Sequence, residues 1–394
     1  MFLSVLALAF AAQEAGKVID VGVAMPMTSR EVIHNARIIV EGGRIVAVGT
    51  QAELEIPAGY EHHSFPRSWA FPGGVDLHNH VQTGSWEDIN DMVNPNNPEL
   101  RVLDTVRPWN LQYQDASAGG VTTVNAIPGS GTNMSGAGVL VKVAPHIGHI
   151  DDGILRHPGS VKVAQGYNPE RSSDLGGARM GMWWMLRWWL DRAAEVAEAD
   201  TLDENPDVAH IAAIAQGQFP YLVHTAGGRD TYGTVRMFQI EAQVPVVVSH
   251  ASFNGYMTAR ALAAVNARLN VGPRNFDFNF NGLGQVRGLV EAYESGGNKD
   301  ISVQTDAPVV PAEEYLYQAT LAERLGASTW TCLESINVRP AQQIMADHRI
   351  GTLQPGLDAD IVVKAGQPLD PRSPVQLVLV DGEIVYDISQ GQRY

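Results

Sequence analysis

The chain reads Gly73-Gly74-Val75-Asp76-Leu77-His78-Asn79-His80 where its long central part begins, and this stretch decides how the fold is interpreted. Side chains of a strand alternate between its two faces, so His78 and His80 of this predicted strand point the same way. Two imidazoles on one side of a strand end can bind one metal ion. A chance pair with one hydrogen-bonded core histidine explains the same residues, so the pair alone leaves both interpretations open.

Four later strand-like runs each carry another side chain that can bind metal. They are Lys162 in the run 161–164, His224 after 220–223, His250 after 245–249 and Asp306 after 301–305. The C-terminal ends of parallel barrel strands meet at one mouth, which would bring these side chains to His78 and His80. A lone buried histidine is more often a hydrogen-bonded core residue. Six such residues at successive strand ends instead favour one shared site.

Lys162 adds a separate argument. Alternation places Val161 and Val163 on one face of the run and Lys162 on the other, toward the axis of a barrel. A buried, unpaired ammonium group costs free energy. This lysine therefore needs a partner or a covalent modification.

The segment 69–348 alternates between apolar strand-like runs, such as 120–124 and 244–248, and helical patterns, such as 180–199 and 312–325. Strands that alternate with helices predict parallel strands joined by crossovers. The length of the segment fits an α/β fold with one (β/α)8 TIM barrel. A doubly wound open sheet is the alternative, and the missing Gly-rich phosphate fingerprint after the early strands weakens it.

Both ends of the chain are rich in short strand-like runs. Two such runs flank Glu41-Gly42-Gly43-Arg44, and Asp381-Gly382 separates two more near the C-terminus. Turns of this kind between strands predict β-hairpins. We therefore expect one small β-sandwich domain built from residues 17–68 and 349–394, with the barrel between them.

Composition excludes several classes of protein. The single cysteine, Cys332, leaves no intramolecular disulfide and no thiolate-rich metal site. The 27 basic and 43 acidic residues give a net charge of −16, which disfavours nucleic acid and anionic membranes as partners. A small-molecule substrate is the better expectation.

Residues 1–16 are similar to a secretory signal, because small residues follow the apolar run 2–12. No basic residue precedes that run, so an N-terminal strand or a mis-assigned start is the alternative. We expect export to the periplasm or the cell exterior, or a cytoplasmic location if the run is not a signal. No other stretch is apolar enough over sufficient length to span a membrane.

The six candidate metal-binding residues resemble the ligand pattern of the amidohydrolase superfamily, and the resemblance covers nearly the whole chain. Its motifs are the His-x-His of 74–80, Lys162 on the fourth strand, His224 on the fifth, His250 on the sixth and Asp306 on the eighth. The string 351–363, GTLQPGLDADIVV, is similar to that family's return into its small β-domain. The segment 162–169, KVAQGYNP, is similar to a subgroup near imidazolonepropionase and the prolidase-like members.

The resemblance implies a centre of two zinc ions, with other divalent transition metals as alternatives. The implied ligands are His78, His80 and Asp306 for one ion and His224 and His250 for the other. A carbamate formed from Lys162 and CO2 would bridge the two ions; an unmodified Lys162 beside a single ion is the alternative. A metal-activated hydroxide would attack the substrate. Asp306 would pass the proton of the attacking water to the leaving amine.

We therefore expect an enzyme, a metal-dependent hydrolase that cleaves a carbon–nitrogen bond in an amide, a cyclic amide or a small peptide. One alternative on the same fold is deamination of a ring amine. The resemblance implies that deaminase members bind one ion without a lysine on the fourth strand, so Lys162 disfavours this alternative. A non-catalytic exported protein that binds a metal and a ligand is the alternative from a different class.

Loop residues near the predicted mouth are candidates for substrate binding. Arg229 and Arg274 could each bind a substrate carboxylate through two hydrogen bonds, or form ordinary loop salt bridges. Tyr167, Asn254 and Tyr256 lie on loops from which they could contact substrate.

The predicted helix 180–199 carries a cluster of aromatic residues, Trp183, Trp184, Trp188 and Trp189. Trp184 and Trp188 are four residues apart and share a helix face. The cluster either packs against the barrel or forms a lid or a subunit interface, so a homo-oligomer is among the expected assemblies.

Overall fold

The computed structural model shows a mixed α/β fold. It describes residues 16–81, 89–107, 110–144, 149–171, 178–278 and 286–390. The segment predicted as an export signal lies outside these ranges apart from Gly16, so the signal stays a prediction. Among the described residues, no helix is both long and apolar enough to cross a membrane.

The strands of the first half are β1 Lys17–Ala24, β2 Ile33–Glu41, β3 Arg44–Thr50, β4 Glu61–Pro72, β5 Gly74–Asn79, β6 Val121–Ala126, β7 Met134–Ala137, β8 Val139–Lys142, β9 Ile154–Arg156 and β10 Val161–Ala164. Those of the second half are β11 Tyr221–Ala226, β12 Val246–Ser252, β13 Arg268–Val271, β14 Phe276–Phe278, β15 Val286–Gly288, β16 Ile301–Val303, β17 Ile361–Lys364, β18 Val375–Val380 and β19 Glu383–Asp387.

The α-helices are α1 Leu111–Ala118, α2 Arg179–Ala199, α3 Ala209–Ala215, α4 Gly228–Thr234, α5 Ala259–Ala263, α6 Leu289–Ser295, α7 Tyr315–Arg324, α8 Thr329–Glu334 and α9 Val338–Gln343. A π-helix, Val235–Glu241, continues directly from α4.

Strands from both ends of the chain share one seven-stranded sheet in the order β19-β18-β17-β4-β1-β2-β3. The hairpin β2–β3 turns at Gly42 and Gly43, whose φ angles are 55° and 76°. The hairpin β18–β19 turns at Asp381 and Gly382, with φ of 47° and 78°. Two successive residues of positive φ suit the tight turn that matches strand twist, so both predicted hairpins are confirmed. The division of the chain into domains and the two-layer sandwich stay predictions.

The central part forms two main sheets. A six-stranded sheet has the order β16-β13-β12-β11-β10-β7, and a four-stranded sheet has the order β5-β6-β8-β9. The neighbours from β10 to β16 are parallel, as are β5 and β6. The backbone N–H of His80, just after β5, donates to the carbonyl of Ala307 beyond β16 at 2.8 Å and joins the two sheets.

The segment from β6 to β10 departs from the predicted alternation of strands and helices. Strand β8 runs antiparallel to both β6 and β9, and β7 runs antiparallel to β10. A parallel neighbour needs a crossover of a dozen residues or more, usually a helix. The described residues between β6 and β10 contain no α-helix and only one short 3-10 turn, Ile150–Gly153. Direct reversals are therefore the available connections here.

Helix α2 packs one face against the six-stranded sheet. Its buried residues are Met182, Leu186, Leu190, Ala193 and Val196, at the three- and four-residue spacing of an amphipathic helix. Trp183 and Trp189 pack partly buried beside them. Trp184 and Trp188 are 63% and 47% exposed. The aromatic cluster is thus divided between core packing and an exposed face, and a homo-oligomer stays a prediction.

A buried charge cluster joins the central part to the terminal sheet. Lys142 Nζ on β8 lies 2.7 Å from Asp360 Oδ2, 2.9 Å from Asp358 Oδ2 and 3.1 Å from Asp381 Oδ1. Burial acts to lower the pKa of Lys142, but the three carboxylates outweigh it and hold that pKa above its ordinary value. Lys142 is therefore a charged anchor for the segment that returns to the terminal sheet.

Candidate metal centre

Three candidate ligands converge where β5 ends and the chain leaves β16. Their ligand atoms lie within 4.8 Å of one another, in His78, His80 and Asp306. Asp306 Oδ1 lies 3.1 Å from His80 Nε2 and 3.3 Å from His78 Nε2. Strand alternation puts the two imidazoles on one face, and the parallel end of β16 delivers the carboxylate to that face.

The other three candidates surround this group. Lys162 Nζ on β10 lies 3.0 Å from His78 Nε2 and donates to Ser130 Oγ at 2.9 Å. The ring of His250 lies 4.5 Å from that of His78 and 4.3 Å from that of His224, measured between centroids. The structure therefore brings all six residues to one place, although their individual roles stay predictions.

Carbonyl groups fix the orientation of two of the rings. His80 Nδ1 lies 2.9 Å from the carbonyl oxygen of Ile127, and His250 Nδ1 lies 2.9 Å from that of Gly272. A carbonyl oxygen only accepts, so each Nδ1 carries the hydrogen and a neutral ring presents the lone pair of Nε2 to the centre. Donation from Lys162 Nζ to His78 Nε2, 3.0 Å away, would give His78 the same form, with Nδ1 against Ser249 Oγ.

Burial and neighbouring charges favour the protonation states that metal binding needs. Burial, followed by the charge of Lys162, holds the pKa of His78 well below its ordinary value. Burial lowers the pKa of Lys162 to about 7 against the opposing charge of Asp306. Burial acts to raise the pKa of Asp306, but His250 and His80 more than offset it and lower that pKa. Neutral imidazoles beside an ionised carboxylate are the usual protein ligands of a divalent metal.

Two observations show that the donor set fits a bound cation. His80 Nε2 lies 3.1 Å from Asp306 Oδ1, and in the neutral ring with its hydrogen on Nδ1 the lone pair of Nε2 is directed toward that oxygen. A cation held by both atoms would suit this arrangement. His250 Nε2 is buried and has no hydrogen-bond partner within the described part of the chain, an orphan that a metal ion would satisfy. Nitrogen and oxygen donors without thiolate suit zinc and other divalent transition metals.

Asp76 is a supporting residue that the sequence interpretation did not single out. Its buried carboxylate accepts hydrogen bonds from Thr305 Oγ1, from Asn79 Nδ2 at 3.0 Å and from the backbone N–H of His78 at 3.3 Å. Burial raises the pKa of Asp76 to about 6 although these hydrogen bonds act to lower it. Asp76 ties β5 to the chain just before Asp306. Its position two residues before His78, on the same strand face, was the available signal.

The backbone at the centre adopts rare conformations at two ligands. The φ angles of His250 and Asp306 are 66° and 52°, and that of Ala251 is 50°. A non-glycine residue with positive φ is uncommon and persists where its surroundings hold it. Such residues cluster at binding and catalytic sites.

A cavity of about 240 Å³ opens beside the centre and is lined by His224, His250 and Asp306. Tyr167 and Arg274 also line it, so two of the predicted substrate-binding residues lie where substrate would enter. The other three, Arg229, Asn254 and Tyr256, are not among its lining residues in the described part of the chain. Arg229 is instead exposed on the first turn of α4, and the hydroxyl of Tyr256 lies 3.4 Å from Asn254 Oδ1.

Comparison with known proteins adds independent information. No protein-family model matches the chain. A curated relative, the amidohydrolase tasK of Hapsidospora irregularis, is 25% identical over an alignment of 400 positions that covers 89% of this chain. The chain spans 40% of the length of that relative.

Solved structures share the fold over almost the whole chain. An amidohydrolase from Thermotoga maritima superposes with a TM-score of 0.83 at 26% identity, over 94% of this chain and 99% of the other. A prolidase complexed with N-methylphosphonate-L-proline gives a TM-score of 0.61 at 15% identity, over 95% and 100% of the two chains. A zinc-bound adenosine deaminase from Xanthomonas campestris gives 0.53 at 14% identity, over 94% and 92%.

The curated relative and the Thermotoga maritima protein are both described as amidohydrolases, and the more distant structures share the fold. The predicted resemblance to the amidohydrolase superfamily is therefore confirmed: amidohydrolases match the chain at 25% and 26% identity, and prolidase-like proteins are among its structural neighbours.

Proposed function

We propose that the chain is a metal-dependent hydrolase that cleaves the carbon–nitrogen bond of a small amide, a cyclic amide or a small peptide. The observation that carries this proposal is the convergence of His78, His80 and Asp306, in which His80 Nε2 lies 3.1 Å from Asp306 Oδ1. The similarity to amidohydrolases supports a hydrolase, and the cavity beside Asp306 has room for a small molecule.

The proposal includes a TIM-barrel arrangement of the central sheets. Strands β5, β6, β10, β11, β12, β13 and β16 would supply seven barrel strands, and the reversal β7–β8 would fill the remaining place. The contact between His80 and Ala307 supports it, because it links the first of these strands to the segment after the last. Residues 17–68 and 349–394 would form the separate β-domain.

The residues divide into ligands and a proton carrier. His78, His80 and Asp306 would hold one divalent ion, and His224 and His250 a second. Bound zinc would lower the pKa of a water molecule and polarise the substrate carbonyl. Asp306 Oδ1 is engaged by the two histidines, so Asp306 Oδ2 would accept the proton of the attacking water and donate it to the leaving amine.

Lys162 would serve as the bridge between the two ions. Addition of CO2 to its neutral amine forms a carbamate and releases one proton, which replaces a cation by an anion. A buried lysine among histidine nitrogens supports this role, since an ammonium there would oppose metal binding.

Two other functions remain as candidates. A structural neighbour is an adenosine deaminase, which keeps deamination of a ring amine as an alternative, and Lys162 at the centre disfavours it. A protein that binds metal and ligand without catalysis would keep the same ligands. Only turnover separates it from an enzyme.

The test combines metal analysis with an amide-hydrolysis assay on zinc-loaded protein. We expect stoichiometric zinc in the wild type, and hydrolysis in a panel of N-acyl amino acids, dipeptides and cyclic amides. Asp306→Asn should retain metal while kcat falls at least about 100-fold. Asp347→Asn, at an exposed position, is the matched control and should behave as the wild type. Absence of bound metal would refute the centre, and full metal occupancy without turnover of any amide would favour the binding protein.

A further inference from the structure

Large apolar side chains surround the opening of the cavity beside His250 and Asp306. Phe253 is 59% exposed, Tyr167 57% and Val309 54%, and all three line the cavity. Single exposed apolar residues are common on protein surfaces, but several around one opening indicate a binding surface. The opening therefore matches an apolar group on the molecule that enters it.

The position of Phe253 is held by a buried carboxylate. Asp277 accepts hydrogen bonds from the backbone N–H groups of Phe253 at 3.1 Å and of Asn254 at 2.9 Å. These two residues have φ angles of 51° and 66°, which non-glycine residues keep only with support from their surroundings. The loop after β12 thus holds an aromatic side chain at the cavity mouth instead of folding it into the core.

Arg274 supplies a positive charge at the same opening. Its side chain is exposed and lines the cavity, and within the described residues no carboxylate lies within 4.0 Å of it. Arg274 acts electrostatically on the neighbouring carboxylate of Asp277, which itself accepts hydrogen bonds from the two backbone N–H groups. The planar fork of an exposed arginine matches the geometry of a carboxylate.

We propose that the substrate is a small amide that carries both a large apolar group, aromatic or branched alkyl, and a carboxylate. Phe253, Tyr167 and Val309 would cover the apolar group, and Arg274 would bind the carboxylate. N-acyl amino acids with a large apolar side chain are the simplest compounds of this class. This inference rests on the proposed hydrolysis and specifies its substrate.

Three amides separate the two recognition elements on zinc-loaded protein. N-acetyl-L-phenylalanine has both groups, N-acetylglycine lacks the apolar group, and N-acetyl-2-phenylethylamine lacks the carboxylate. We expect kcat/KM for the first to exceed that for each of the others by about tenfold. Phe253→Ala should reduce kcat/KM about tenfold for N-acetyl-L-phenylalanine and leave kcat/KM for N-acetylglycine unchanged. Arg274→Met should reduce kcat/KM for N-acetyl-L-phenylalanine and N-acetylglycine, which carry a carboxylate, and not for N-acetyl-2-phenylethylamine.

Matched controls lie on the terminal sheet and its loops, away from the cavity. Ile56→Ala removes an exposed apolar side chain and Arg67→Met an exposed charge, and neither should alter the preference. Equal kcat/KM for all three amides would overturn the inference while leaving amide hydrolysis intact.

Binding provides a readout that is independent of turnover. Calorimetric titration of zinc-loaded protein with 3-phenylpropionate, propionate and 3-phenylpropanol should give the tightest Kd for the first. Phe253→Ala and Arg274→Met should each weaken it about tenfold. This preference without hydrolysis of any amide would contradict the proposed function and would support only the two binding roles, that of Phe253 for the apolar group and that of Arg274 for the carboxylate. An unchanged Kd in Arg274→Met would place the carboxylate elsewhere, such as on the metal, and would overturn the role of Arg274.

Discussion

Lys162 Nζ lies 3.0 Å from His78 Nε2, although the two residues are 84 positions apart in the chain. Both side chains are fully buried. Within the described residues no carboxylate forms an ion pair with Lys162, and burying an ionisable amine without such a partner costs free energy. The contact therefore indicates a functional centre rather than a structural ion pair.

Replacement of Lys162 by methionine keeps most of the side-chain volume and removes the amine. We expect Lys162→Met to reduce bound zinc and to lower kcat/KM at least about 100-fold, because the bridge between the two ions is lost. Elemental analysis and the thermal midpoint distinguish lost metal from lost folding. Lys299→Met, on an exposed lysine, is the control. Unchanged zinc content in a folded Lys162→Met protein would contradict the bridging role.

Ser249 Oγ contacts His78 Nδ1, the ring nitrogen opposite the one that faces the candidate metal centre. Ser249 would therefore affect a bound metal through the orientation of that ring. Removal of such a partner typically weakens metal binding 10- to 100-fold. We therefore expect Ser249→Ala to raise the Kd for zinc by about tenfold, measured by competition with a chromophoric chelator. Ser295→Ala, at an exposed position on α6, should leave the affinity unchanged. Equal zinc affinities in the two variants would show that Ser249 does not support the metal centre.

The Lys142 cluster predicts a dependence of stability on pH. Arg349 and Lys142 hold the pKa of Asp358 below its ordinary value although burial acts to raise it. The stabilisation from Asp358 is therefore present above pH 3.8 and is lost as the pH falls through the lower folded-state pKa. The pKa of Lys142 is raised, so its contribution is present below pH 10.5 and is lost as the pH rises through the higher folded-state pKa.

Lys142→Met should therefore lower the free energy of unfolding by about 3 kcal/mol at pH 7, because it leaves the buried Asp360 without its cation and removes one of the cations that pair with Asp358. The difference from the wild type should narrow in acid as these carboxylates are protonated. Urea denaturation of both proteins at pH 7 and in acid measures it. If the difference in free energy of unfolding stays constant as the pH falls, the variant loses stability through altered packing and not through the missing charge.

Gly233 marks the contact between α4 and α2. A Cβ atom there would lie 1.8 Å from the ring of Trp183, which is impossible without movement. We expect Gly233→Ala to destabilise the fold by about 1–3 kcal/mol through overpacking. Gly181→Ala on α2 is the matched control, because nothing lies within 4 Å of its Cβ position. This control should instead stabilise by about 0.5–1 kcal/mol through helix propensity, and thermal unfolding compares the two.

Local sequence patterns predicted several features of this structure. Alternation along β5 placed His78 and His80 on one face, and the turn residues at Gly42-Gly43 and Asp381-Gly382 located two hairpins. Each of these features depends on backbone geometry within a few residues. Such geometry is determined by the local sequence.

Other features depended on contacts between distant segments. The antiparallel course of β7, β8 and β9 follows from which strands pair, and the residues alone are compatible with a parallel barrel. Equally, Arg229 and Arg274 are both loop arginines near a strand end, and only the folded loops place one at the cavity and the other outside it.

The sequence by itself identified the candidate metal-binding residues, the two hairpins and the resemblance to amidohydrolases, because side-chain chemistry and strand alternation are local properties. Only the tertiary structure decided that Asp306 Oδ1 faces His80 Nε2 at 3.1 Å, that Asp76 ties their two strands together and that Phe253 stands at the opening. The first two relationships need segments more than 200 residues apart in the chain to meet, where an isolated bridge joins Asn79 to Ala307. That contact depends on the packing of the whole core and not on any single segment.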